Sequence, residues 1–379
     1  MVLMNVNLDN FLVFSNYSMN LSYAKKIVNS SIPEEYLDGR PNFRYKKLIV
    51  LMGANATGKT ALSRILMAIF NFIAKREYAS IVELIEDSTK DAFFSVDLAF
   101  SDFRLYRVTG IFKGKKTKSA ELDSKDIIVE VKSEVIQKND SYERCASRLD
   151  VKSPDLFDNY IKALESVPYL TWKFEDSFAL SGHQRAIEPI EPNLYTVVLE
   201  KTMQALDPRI KSVDRIRDTE NTFVIRYDNH VVLIKDGIVM EPNKLSSGTA
   251  EGIGVANMIT AMKLKAMDFY FCDEKFSHIH SFAEKAFLSV LVEMIGQNQQ
   301  LFFTTHNSDI LDLNLPLHSY AFLRRDENNN NSITCVFASD YLKKNTVSLK
   351  NAVDNDIFSS SPDTDRIYRI SESIQGGSR

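Results

Sequence analysis

Residues 53–60, Gly-Ala-Asn-Ala-Thr-Gly-Lys-Thr, set two glycines, a lysine and a hydroxyl at the spacing G-x-x-x-x-G-K-[ST]. That spacing serves the binding of a polyphosphate. The glycines let the backbone wrap an anion, so that N–H groups of Gly53, Ala54, Asn55, Ala56, Thr57 and Gly58 point inward. A helix starting at this point adds positive potential. Lys59 is placed to reach β- and γ-phosphates, and the Thr60 hydroxyl to ligate Mg²⁺. At average residue usage, a chance match in a chain this long is on the order of one in a hundred.

Downstream, "DFYFCDE" at 268–274 ends an apolar run in two carboxylates. A strand there delivers Asp273 and Glu274 to its C-terminal tip, where ligands bind in parallel sheets. Phosphoryl transfer to water needs a partner for the metal and a group that positions the water. Asp273 suits the first and Glu274 the second; the competing reading is an acidic N-cap for a helix over Phe276 to Ile295. "LSSGT" at 245–249 opens another helical stretch, where Ser246, Ser247 and Gly248 form either an anion site of hydroxyl and free N–H groups or an ordinary serine cap. "QLFFTTHNSDIL" at 300–311 is a second buried strand ending in Thr304, Thr305, His306 and Asn307. His278 and His280 are two apart and do not share a helix face, so a dimer-contact segment is preferred to a metal site.

The elements that must position these residues form an α/β pattern. Leu48 to Met52 is a short unbroken apolar run, as for a parallel strand buried on both faces. Leu62, Ile65, Leu66, Ile69, Phe70 and Ile73 follow at helical spacing, with the helix ending near Arg76. An early strand is expected around "LDNFLVF", a loop with a short helix over 24–43, and two antiparallel strands over 92–112. Another strand is expected over Ile127 to Val135, a mainly helical region broken by prolines over 138–210, and short strands over 221–242. No internal repeat and no sustained heptad pattern is present.

Composition bounds the class. Hydrophobic content of 44% and charged content of 25% in 379 residues are ordinary for a globular protein with a sizeable core. The net charge of −4 gives no global pull toward nucleic acid or membrane. Cys145, Cys272 and Cys335 are dispersed and odd in number, which indicates neither a disulfide framework nor a zinc site. With no secretory signal and no apolar run of spanning length, a cytoplasmic protein without membrane association is expected.

Read in order, "GANATGKT", "LSSGT", "FYFCDE" and "TTHN" resemble the ABC-type ATPases of the SMC/Rad50-like superfamily. Residues 245–249 resemble the LSGGQ signature, with Ser for the first Gly and Thr for the Gln, 24 residues before Asp273 (249 to 273). The wording of the phosphate loop, the opening "LDNFLVF", the segment from Asp273-Glu274 to His280 and the tail "YLKKNTVSLKNAVDNDIFSSSP" are similar to the AAA15 or OLD-like branch, common in bacterial anti-phage defence. The resemblance covers 1–75 and 240–360. It implies a P-loop NTPase of ABC type, with a mixed sheet core plus an antiparallel β subdomain and a mainly helical insert. The core would take 1–75 and 241–345, the insert 76–240 and a tail 346–379.

The same resemblance implies ATP and Mg²⁺ as ligands. Ser246, Ser247 and Gly248 would close over the γ-phosphate in another protomer, Glu274 would polarise water, and His306 would act as γ-phosphate sensor. It implies a homodimer or higher even-numbered homo-oligomer joined through the ATP sites, acting as a switch on a separate effector, a nuclease or toxin. Gln184 in "SGHQRAIEP" is the candidate for the glutamine loop. The roughly 165 residues of the insert, rich in strands and prolines, exclude a long coiled-coil arm, and the roughly 70 residues after His306 are too few for a Toprim nuclease domain. Two other readings stand beside this one. The first is a nucleic-acid clamp using the basic turn "FKGKKTK" at 112–118; the second is a slow ATP-gated scaffold. A GTPase is excluded by the absence of N-K-x-D, and a small-molecule kinase has no use for a signature helix.

Overall fold

The computed structural model of the chain describes residues 1–117, 122–177, 190–326, 332–342, 348–359 and 369. The chain opens with β1 (Val2–Asp9), β2 (Tyr17–Asn20), a small hairpin of β3 (Tyr36–Leu37) and β4 (Arg40–Arg44), then β5 (Leu48–Met52) and helix α1 (Lys59–Lys75). A short α2 (Ala79–Val82) leads to β6 (Ala92–Ala99), β7 (Arg104–Phe112) and β8 (Ile127–Val135). Next come α3 (Tyr142–Asp150), α4 (Tyr160–Glu165), β9 (Trp172–Asp176) and α5 (Pro192–Leu206). A meander of β10 (Ser212–Arg215), β11 (Thr222–Arg226), β12 (Val231–Lys235) and β13 (Ile238–Val239) precedes helix α6 (Ser247–Lys263). The chain then runs through β14 (Phe269–Asp273), α7 (Ser281–Met294), β15 (Gln300–Thr304), the hairpin β16 (Tyr320–Asp326) and β17 (Ser332–Phe337), α8 (Ala338–Tyr341) and α9 (Leu349–Asp354).

The central sheet has the order β17-β16-β5-β15-β14-β9, with only the β16–β17 pair antiparallel. β5, β14 and β15 are buried along their whole length, which is why they read as unbroken apolar runs. Their side chains alternate between two cores. Ile49, Leu51, Phe269, Phe271 and Phe302 join the core that holds α1, while Val50, Tyr270, Cys272 and Phe303 face the core that holds α6 and α7. The other wall of the α1 core is the antiparallel sheet β2-β1-β6-β7-β8. α1 is therefore sandwiched between two sheets, with Leu62, Ile65, Leu66, Ile69 and Phe70 fully buried. Each such side chain contributes about 1.5–3 kcal/mol relative to exposure. Phe70 meets Phe269 edge-on at 5.0 Å and Trp172 at 6.0 Å, so the helix is keyed to β14 and β9.

Four parallel strands, β5, β15, β14 and β9, end at the same edge of the sheet, and that edge carries the candidate chemistry. Several local expectations fail for identifiable reasons. The strand around "LDNFLVF" stops at Asp9. Asn10 and Leu12 then take φ of 59° and 50°, and Phe11 bridges Phe14 in a turn whose phenyl rings are buried. Within the loop of 24–43 there is no helix; β3 and β4 form there instead. The mainly helical region 138–210 contains β9, which pairs with β14. The helix expected from Phe276 begins only at Ser281. Within segment 76–240, β6 pairs with β1, and β9 is the edge strand of the central sheet. In the tail, Leu349, Ala352 and Phe358 are buried, and Phe358 stacks on Phe322 at 4.2 Å. The three cysteines are free thiols.

Candidate nucleotide-phosphate site

The loop between β5 and α1 takes its shape from three left-handed positions, Gly53 (φ 153°), Ala56 (φ 62°) and Gly58 (φ 98°). Gly58 is the N-cap of α1 and offers no side chain to the helix, so the first N–H groups of α1 stay available to a ligand. A Cβ on Gly53 would stand 2.6 Å from the Leu323 carbonyl, so β16 packs against the loop from behind. Val13 and Phe14, in the turn after β1, lie against Gly58, where a Cβ would meet them at 3.0 and 3.2 Å. The Lys59 ammonium is 4% exposed and donates to the Gly53 carbonyl at 2.9 Å and the Ala54 carbonyl at 3.2 Å. Burial lowers its pKa, and the charges of Glu274 and Asp273 oppose that.

Glu274 stands at the tip of β14 with φ of 47°, a conformation that costs a non-glycine residue about 1 kcal/mol or more. Its neighbours hold it there. The Glu274 N–H donates to the Thr304 hydroxyl at 2.8 Å, and that hydroxyl donates to Asp273 Oδ1 at 2.7 Å. Glu274 Oε1 lies 2.8 Å from His306 Nε2 and 3.7 Å from Lys59 Nζ. The hydrogen bond from His306 holds its carboxyl below the usual range, ahead of the Lys59 charge and against burial. A carboxylate that stays ionised between an imidazole and an ammonium can orient or deprotonate a water.

Asp273 is 1% exposed, and its Oδ2 has no hydrogen-bond partner among the described residues. Burial raises its pKa, with the Thr304 and Thr60 hydroxyls pulling the other way. A buried carboxylate oxygen with no partner, beside the Thr60 hydroxyl, is a donor set that fits a small hard cation such as Mg²⁺, which commonly takes one or two protein oxygens and fills its shell with phosphate and water. Among the described residues no cluster of three His, Cys, Asp or Glu could hold a metal by itself. His278 and His280 are both exposed, and His280 caps α7 through its Nδ1.

Lys59, Thr60, Glu274 and His306 open on one cleft of about 380 Å³, lined also by Val13, Asn55, Gly58 and Arg325, while Asp273 next to Glu274 stays buried. Three of the parallel strands thus bring Lys59, Asp273-Glu274 and His306 to one place. Arg325 was not foreseen from the sequence. It projects from β16 and donates to the Ala56 carbonyl at 2.8 Å, adding an exposed cation at the rim. Its only sequence signal is an Arg-Arg pair ending an apolar strand, which is common on any surface.

Ser246, Ser247 and Gly248 are not brought to this cleft. Ser246 caps α6, accepting from the Thr249 N–H at 3.1 Å, and both serines are exposed. A Cβ on Gly248 would stand 2.6 Å from the His278 carbonyl, so this glycine lets the start of α6 lie directly on the loop after Glu274. Gln184 lies outside the described residues. In the basic turn at 112–118, Lys113 and Lys115 are already paired with Asp91 and Asp126.

No protein-family model matches the chain, and no curated relative matches it. Solved structures do. A SmcHead bound to the C-winged helix domain of ScpA shares 13% identity over 93% of this chain and 100% of that one, with a TM-score of 0.51. An Smc head domain with an extended coiled coil, bound to the C-terminal domain of ScpA derived from Pyrococcus furiosus, shares 12% identity over 93% and 98%, also with a TM-score of 0.51. The recombination mediator protein RecF matches at 9% identity over 88% and 98%, with a TM-score of 0.41. The chain has the mixed α/β P-loop fold of the ABC-type ATPase heads.

Proposed function

We propose that this protein binds ATP with Mg²⁺ and hydrolyses it as an ABC-type ATPase. The observation that carries the proposal is Glu274, held in a left-handed conformation between His306 at 2.8 Å and Lys59 at 3.7 Å, at the mouth of a phosphate loop. The loop N–H groups and Lys59 bind the phosphates, and Glu274 takes a proton from the attacking water while His306 fixes its carboxylate. Asp273 and Thr60 would hold the Mg²⁺, which neutralises phosphate charge.

The signature residues belong to a second, shared half of the site. Ser246 and Ser247 are exposed and do not line the cleft of their own protomer, and this supports closure of a homodimer in which each α6 start covers the other protomer's γ-phosphate. Closure that needs the γ-phosphate makes the dimer a switch, biased by the difference in contacts with ATP and ADP. The output in this reading is a separate effector, and the setting suggested by the motif wording is bacterial anti-phage defence. The pairing of Lys113 with Asp91 and of Lys115 with Asp126 gives the nucleic-acid clamp no added support.

Glu274→Gln tests the core of this. The variant should bind ATP, lose hydrolysis by roughly 10²-fold or more, and accumulate as a closed dimer by light scattering. Steady-state hydrolysis at the wild-type rate would overturn the role of Glu274.

A further inference from the structure

His306 sits on a loop between two hollows. On one side is the phosphate cleft; on the other is a cavity of about 390 Å³ bounded by the loop 304–307, Phe276, Ile279 and the start of α7. Its side chain is 43% exposed, lines both hollows and meets Glu274 Oε1 at 2.8 Å. What fixes the loop is its two flanking residues. The Thr305 hydroxyl donates to Glu284 Oε1 at 2.6 Å, and the Asn307 amide donates to Glu284 Oε2 at 2.8 Å. One carboxylate thus grips the residue before His306 and the residue after it.

Glu284 is 5% exposed and stands in the first turn of α7, where the helix N-terminus and the charge of His306 favour its ionised form. Burial raises its pKa, and the bonds from Thr305 and Asn307 favour its charged form. A carboxylate kept in a dry place is costly unless its hydrogen bonds are kept, so Glu284 resists any movement of the loop that would break the two it accepts. α7 is a rigid base for it, since Leu288 and Leu291 are fully buried against the central sheet core.

We infer that Glu284 is the positioning residue for His306, acting through Thr305 and Asn307 to hold the imidazole on Glu274 at hydrogen-bonding distance. This rests on the hydrolytic reading of the cleft. Glu284 does not line the phosphate cleft; it sets the geometry of the Glu274–His306 pair that does.

The test uses the full chain in three variants, Glu284→Ala, Glu284→Gln and His306→Ala, with the double variant of Glu284→Ala and His306→Ala. A displacement near 1 Å at His306 should lower kcat on the order of 10²-fold in Glu284→Ala with KM for ATP unchanged. Glu284→Gln, which keeps one acceptor, should fall between it and the wild type. The double variant should be no slower than His306→Ala alone, because both changes remove one unit. Rate losses that multiply in the double variant, or wild-type kcat in Glu284→Ala, would overturn the inference.

A readout without turnover keeps the inference separate from the ATPase reading. The His306 ring resonance, identified by its disappearance in His306→Ala, should shift in Glu284→Ala. An unmoved resonance overturns the inference whatever the rates. Absence of Lys59-dependent hydrolysis in the wild type, by contrast, would overturn the ATPase reading, while the resonance still decides the role of Glu284. Should Glu284→Ala fail to fold, the same resonance in Glu284→Gln decides it, with the same two outcomes.

Discussion

Asp273→Asn should make the nucleotide-free protein more stable, and the structure says by how much. Asp273 is 1% exposed and its Oδ2 has no hydrogen-bond partner among the described residues. A buried polar atom without a partner costs about 1–3 kcal/mol, and more when it is charged. Asparagine keeps the acceptor for the Thr304 hydroxyl and puts a neutral amide beside Thr60. Unfolding entropy of about 2.1 cal/mol/K per residue gives about 0.8 kcal/mol/K for 379 residues, so the gain is about 1–4 °C in Tm. The sign with pH follows from burial, which raises the folded-state pKa above the unfolded value. Above the folded pKa the wild type bears the full cost. As pH falls through that value the native carboxyl takes up its proton first, and the cost fades. Below the unfolded value near about 3.9 both states are protonated and the two proteins should melt together. The assay is thermal melting from about pH 8 down to about pH 3, with and without ATP and Mg²⁺. Mg²⁺ should add stability to the ATP-bound wild type and little to Asp273→Asn. A variant less stable than the wild type at neutral pH, or a gain independent of pH, would refute the reasoning.

Two glycines give further predictions. Gly248→Ala places a Cβ 2.6 Å from the His278 carbonyl, a backbone atom that cannot swing away, so the start of α6 must shift; hydrolysis should be lost while binding of a fluorescent ATP analogue persists. Gly254→Ala places a Cβ 2.5 Å from Lys275 Cε, inside a buried ion pair with Glu251 at 2.9 Å. The pair is kept but must shift, and overpacking of this kind costs about 1–3 kcal/mol against about 1 kcal/mol gained in helix propensity, so chemical denaturation should report a loss of at most about 2 kcal/mol.

The loop at 53–60 and the tips of β14 and β15 were legible as strand ends because fully buried parallel strands are continuous apolar runs, and Glu274 and His306 just past those ends line the cleft. β9 was hidden. Its five residues alternate apolar and charged, Trp172, Phe174 against Lys173, Glu175 and Asp176, and all five are half-buried, so nothing distinguishes them from a loop between helices. The start of α7 was misplaced because Phe276 and Ile279 sit at helical spacing, yet they are buried or half-buried from a chain of turns. Arg325 and Glu284 were unreadable in principle. Arg325 acts on a loop 269 residues away, and Glu284 on two residues of another element, 21 and 23 positions distant. Contacts of that kind leave no local pattern.

Why a lysine should follow Glu274 directly is answered by the direction of the chain. Glu274 faces the cleft, and Lys275 turns to the opposite side, 2% exposed, where its ammonium donates to the Asp176 carbonyl at 2.9 Å and pairs with Glu251 on α6. Glu251 also accepts from the Ser177 hydroxyl at 2.6 Å, just past β9. Buried pairs of this sort add little net stability over apolar packing, and their best-attested use is to fix register. Here the register is that of α6, which is buried nearly all round from Thr249 to Met262 and so has no polar stripe to orient it against its neighbours. Gly254 removes the Cβ that would block the lysine. The consequence is mechanical. The residue next to Glu274 ties the tip of β14 to the helix that Ser246 caps, so one buried pair links the carboxylate at the cleft to the start of α6.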